Sequence, residues 1–167
     1  MVFRSLRFKL TLWYMVIFLA SLLGTFCVFY IVSTNTMQRN IDNDLLTDLD
    51  EMSATLALMG TDATYKTIKI EAETEGINKI FLRLMDRTGN VLITSDMKYW
   101  KLAGISSSAL SRIRSGESSV FETQIIPGDH HKTRIIYGQI SPDLILQIGI
   151  SLKDSERLFR AINNVIV

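Results

Sequence analysis

Residues 10–32 hold no ionised side chain, and no other feature constrains the fold as strongly. At a rise of ~1.5 Å per residue, a helix of this length crosses a hydrocarbon core with some tilt. Trp13 and Tyr14 at one end and Tyr30 at the other stand where amphipathic rings prefer the headgroup level. Arg4, Arg7 and Lys9 precede the stretch with no acid among them, and the next charge is Arg39. Basic residues on the N-terminal side alone place residues 1–9 in the cytoplasm and the bulk of the chain outside it. A cleaved signal peptide has an apolar region of roughly 7–15 residues and a small-x-small site. This one is longer and closes on Phe29-Tyr30-Ile31-Val32. Cys27 does not read as a lipid-modified cysteine, because Phe26 precedes it where a small residue is needed. The expectation is an uncleaved, single-pass anchor.

Composition narrows the remainder. Lys and Arg number 18 against 17 Asp and Glu, so a net charge of +1 gives no field that would attract nucleic acid. One cysteine excludes an internal disulfide framework and a Cys-based zinc cluster, and two histidines disfavour a His-rich metal centre. At 47% apolar residues the chain is too hydrophobic for disorder.

After the anchor, Ile41, Leu45, Leu49, Met52, Leu56 and Met59 recur at spacings of three and four, which makes one helical stripe of near-heptad form. Asp42, Asp44, Asp48, Asp50 and Glu51 fall on the other faces. The stripe either packs on its own domain or pairs with a second chain as a dimer or signalling helix. Gly60 ends this helix, and a second is expected over 63–75. Two β-rich runs, 80–85 and 91–95, flank Asp86-Arg87-Thr88-Gly89-Asn90 as a hairpin. Ser106 caps a short helix ending near Gly116, and three further strands are expected over 120–126, 134–140 and 144–152. The order describes an α+β fold with a five-stranded antiparallel sheet and its helices on one side. Residues 153–167, with Leu158, Phe159, Ile162, Val165 and Ile166 at helical spacing, read as a C-terminal helix leading toward a second span. The domain boundaries are thus 1–9, 10–32, 33–152 and 153–167.

No catalytic constellation emerges, with no Gly-rich phosphate loop and no nucleophile beside a base. Asp86 and Gly89 read as turn formers rather than as a phosphate or metal site. His130 and His131, beside Asp129, are the one metal or pH-sensing candidate, set against a plain polar turn. Met52, Met59, Met85 and Met97 suit a soft ion such as Cu(I), although core filling suits Met52 and Met59 better. Tyr99 and Trp100 are candidates for a ligand-pocket mouth. No cofactor is expected.

Ser5-Leu6-Arg7-Phe8-Lys9-Leu10-Thr11-Leu12-Trp13-Tyr14 resembles the opening of bacterial membrane sensor histidine kinases, in particular the heavy-metal-sensor group. Ile41-Asp42 with the stripe that follows, and Leu146-Gln147-Ile148-Gly149-Ile150-Ser151-Leu152 before Lys153-Asp154-Ser155-Glu156, continue the likeness. Asp86 to Leu92, ending at Ser95, is similar to a hairpin of PAS-like (PDC/Cache-type) periplasmic domains. These patches cover about a third of the chain. The resemblance implies a bacterial inner-membrane homodimer whose extracytoplasmic domain senses a small molecule or ion. Its state would pass to a histidine kinase core, and a response regulator would be reached only through that core. The 167 residues hold no phosphoacceptor-His or ATP-binding motif. A membrane-anchored envelope protein that binds a partner protein, or the sensor region of a chemoreceptor or cyclase, are the alternatives.

Overall fold

The computed structural model describes residues 6–127 and 131–157. Helix α1 (Leu6–Glu75) is followed by β1 (Ile80–Asp86), β2 (Val91–Thr94), α2 (Ser107–Arg114), β3 (Ser119–Ile125), β4 (Lys132–Ser141) and β5 (Leu144–Ser151). The chain divides into two compact units, Met1–Asn43 and Asp44–Val167. In the first, one helix is long and apolar enough to cross a membrane, and its rings and aliphatic groups stand open, as Trp13 and Phe29 do. A helix that is apolar all round and unburied suits lipid.

In the second unit, Gly60 (φ 78°) is the one non-helical residue within α1, a left-handed conformation that a side chain would strain. The strands form one antiparallel sheet ordered β2-β1-β5-β4-β3. Its centre is buried on both faces, so β1 and β5 read as nearly continuous apolar runs rather than alternating ones.

Alternation along the strands sorts the core into two faces. Leu82, Leu84, Ile136, Ile148 and Leu146 share a face with Gly138, and Leu49 of α1 occupies the place a side chain on Gly138 would take. Leu45, Met52, Ile68 and Ala72 are buried with it, and Ser53 Oγ donates to the Ile140 carbonyl at 3.3 Å. The opposite face carries Phe81, Met85, Ile135, Tyr137 and Ile145, packed with Trp100 and with Ala109, Leu110 and Ile113 of α2. Helices therefore cover both faces rather than one. The cause is the short helix: buried Ala109, Leu110 and Ile113 give α2 an apolar side that only the second face is free to receive.

The element boundaries follow from local chemistry. Ser106 accepts the Ala109 amide as N-cap of α2. In the β1–β2 turn, Asp86 Oδ1 accepts from Thr88 N at 2.8 Å and Asn90 N at 2.9 Å, while Gly89 (φ 97°) supplies the positive φ. Asp86 is thus spent on the turn, and these bonds hold its carboxyl far below the ordinary range.

Replacing Gly138 by Ala should lower stability by about 1–3 kcal/mol, because Leu49 must move. In a double-mutant cycle by thermal unfolding, Leu49→Ala should be less costly in the G138A background than alone; strict additivity would refute the contact.

Candidate functional site

The candidate residues occupy three places. Tyr99 is 58% exposed, whereas its neighbour Trp100 is 1% exposed. The Trp100 indole packs on Phe81 with centroids 5.0 Å apart, and its Nε1 donates to the Ile77 carbonyl at 2.8 Å. The Phe81 ring fits because its cross-strand partner is Gly149, where a side chain would collide with it. The two neighbours are not brought together on one surface.

Below the loop that carries Trp100 lies a buried polar network. Arg83 Nη1 donates to Gln147 Oε1 at 3.0 Å, and Nη2 to the Ala103 carbonyl at 3.2 Å. Gln147 Nε2 donates to the Gly104 carbonyl at 3.1 Å and to the Tyr137 hydroxyl at 2.8 Å, and that hydroxyl also accepts the Ser106 amide at 3.0 Å. Burial lowers the Arg83 pKa and raises that of Tyr137. These bonds pin residues 103–106 to the sheet.

His130 lies outside the described residues. His131 Nδ1 lies 3.0 Å from Glu156 Oε2, and Glu156 Oε1 accepts the Lys132 amide at 3.3 Å. The His131 hydrogen bond, chiefly, holds the Glu156 carboxyl below its usual range. With Leu152 N bonded to the Lys132 carbonyl at 2.7 Å, this pair ties the helical turn at 153–157 to the start of β4. Among the described residues no group of three or more His, Cys, Asp or Glu is placed to hold a metal ion.

Of the stripe, Leu45, Leu49 and Met52 are buried, Ile41 and Leu56 half-buried and Met59 exposed. Between residues 45 and 52 it therefore serves its own domain. Beside it is a feature the sequence analysis did not assemble, since it placed Asp44 and Asp48 only on the other faces of the stripe helix. Asp44, Asp48 and Thr47 from the first helical segment and Glu71 and Glu75 from the second line a cleft of about 410 Å³. Lys79, Ile80, Ile150, Ser151 and Asp154 complete it. Burial, then Glu71, Glu51, Asp44 and Glu75, push the half-buried Asp48 up to about 6. Glu71 is raised by burial and then by Glu51 and Glu75. The signal was present in the spacing: Asp48 stands 12 residues before Gly60 and Glu71 11 after it, so a reversal at Gly60 sets them opposite.

Trp100→Phe should cost about 1 kcal/mol through the lost Nε1 bond, and Trp100→Ala about 3–5 kcal/mol. Tyr99→Ala should stay within roughly 0.5 kcal/mol by thermal unfolding. Equal losses at 99 and 100 would contradict these placements.

Neither a protein-family model nor a curated protein matches the chain. Among solved structures, the chain is similar to the sensor domain of CusS with silver bound, at 19% sequence identity and a TM-score of 0.36, over 72% of this chain and 97% of that one.

Proposed function

We propose that the chain is the extracytoplasmic signal-sensing portion of a two-component sensor histidine kinase, anchored in the bacterial inner membrane with residues 1–9 in the cytoplasm. One observation carries this reading: the segments that enter and leave the domain are both fastened to the same sheet. The helix that contains the apolar stretch 10–32 also contains Leu45, Leu49 and Met52, buried against one face. At the other end, β5 runs directly into the turn at 153–157, held by Leu152 N and the His131–Glu156 pair. A signal that rearranges the sheet or its covering loops therefore changes what both segments rest upon. Two arrangements of those segments, as a piston or a rotation, would bias a kinase core that follows them.

Several assignments belong to this reading. The chain works as a homodimer, with Ile41, Leu56 and Met59 on the part of the stripe its own sheet leaves less covered. The signal is a small molecule or ion, received at the loop around Tyr99 and Trp100 or at His130 and His131.

The test joins residues 1–167 to a histidine kinase core and measures autophosphorylation in membrane vesicles. Leu49→Ala, which loosens α1 on the sheet, should change the rate severalfold; Leu58→Ala, at an 82% exposed position, should not. Equal phosphorylation in wild type, L49A and L58A would refute transmission through this contact.

A further inference from the structure

The acidic cleft joins three segments that the proposed signalling would move. Asp44 and Asp48 lie on the first helical segment, Glu71 and Glu75 on the returning one, and Asp154 on the turn leaving the sheet. Lys79, preceding β1, is the one basic group lining it, against five carboxylates. Glu51 adds a sixth negative charge near Asp48. The opposing helical segments meet at Gly60, whose left-handed backbone forms the turn about which they can open or close. No ion pair between these acids and Lys79 occurs among the described residues. Repulsion between like charges in a half-buried cleft is screened less than at an open surface.

Resting on the sensor reading above, we propose that this cleft is a proton-operated joint, in which mild acidification outside the membrane draws the entering, returning and leaving segments together around Asp48. The groups facing the cleft around Asp48 are Asp44 and Glu51 from its own helix, Glu71 and Glu75 from the returning segment, and Lys79 and Asp154 from the shared end of the sheet where β1 begins and β5 leaves. At neutral pH the carboxylates are charged and push the segments apart. Taking up one proton at Asp48 removes a charge from the centre of the set and lets its carboxyl donate a hydrogen bond to a neighbouring carboxylate.

The sign follows from linkage. The folded Asp48 titrates near 6, above the ordinary aspartate value, so the folded state holds a proton between about pH 4 and 6 that the unfolded chain has lost. Stability from this group is fully present below pH 4, falls as pH rises through 6, and is absent at pH 7.5. His131 pairs with Glu156 on the leaving segment, so its contribution is separated by substitution.

The experiment follows backbone hydrogen exchange in full-length chain in phospholipid nanodiscs at pH 5.5 and 7.5, corrected for intrinsic exchange, with a thermal midpoint at each pH. In wild type, segments 44–51, 68–75 and 153–157 should be better protected at pH 5.5, with a midpoint higher by roughly 3–6 °C. Asp48→Asn should show the pH 5.5 pattern at both values. Asp62→Asn, at an exposed acid outside the cleft, and His131→Gln should retain the wild-type switch. Unchanged protection between the two pH values, or a D48N chain that still switches, overturns the proposal. The kinase fusion separates this from the sensor reading. If L49A alters phosphorylation while exchange ignores pH, the joint falls and the sensor stands. If exchange switches while phosphorylation ignores L49A, the joint stands and the sensor falls.

Discussion

Leu49 fills the space over Gly138, and this close approach sets how near α1 can come to the sheet. A larger residue at 138 would lift the helix, and with it Ala72 and the large apolar side chains Leu45, Met52 and Ile68, each of these three worth about 1.5–3 kcal/mol when fully buried. Gly149 does the same on the opposite face, where it admits the Phe81 ring and through it Trp100. The sheet is thinned once on each side, and a cover is seated in each recess. Small residues in adjacent central strands are thus what lets five short strands support two layers.

The polar interior depends on that seating. Arg83, Gln147 and Tyr137 lie in the centre of the second face, and they would be costly there unless bonded. Their partners are the backbone of residues 103–106, so the network both satisfies the buried groups and holds the loop that carries Trp100. The acceptors around Arg83 are neutral, so burial depresses its pKa, and Tyr137 opposes that shift only in part. On the first face the sign is reversed: the acids beside Leu45 and Leu49 crowd one another, and the nearest hydrophobic contacts hold them in place.

Much of this was legible in the order of residues. Alternation and turn chemistry located every strand to within two residues, since Asp86, Gly89 and Ser106 act through bonds only a few positions away. The apolar stretch 10–32 was plain from its length without charge, and the stripe at 45–52 from spacings that match a helix. What escaped was contact between distant segments. The layer assignment went astray because three apolar residues of α2 do not say which face they seek. Trp100 read like Tyr99 because neighbours in a loop share composition but not burial, and only the recess at Gly149 decides which ring turns inward. The cleft went unseen because Asp44 and Asp48 meet Glu71 and Glu75 only through the reversal at Gly60.

β5 is the central strand of five, bonded to β1 on one side and β4 on the other, and it continues straight into the turn at 153–157. A load applied along that exit acts parallel to β5 and stresses two ladders of hydrogen bonds at once, rather than peeling them one rung at a time. An edge strand such as β2 would meet the same pull with a single ladder. Placing the outgoing segment on the innermost strand makes the sheet mechanically stiff toward axial displacement. A small tug is then passed through the whole slab as rigid motion instead of being lost in local fraying.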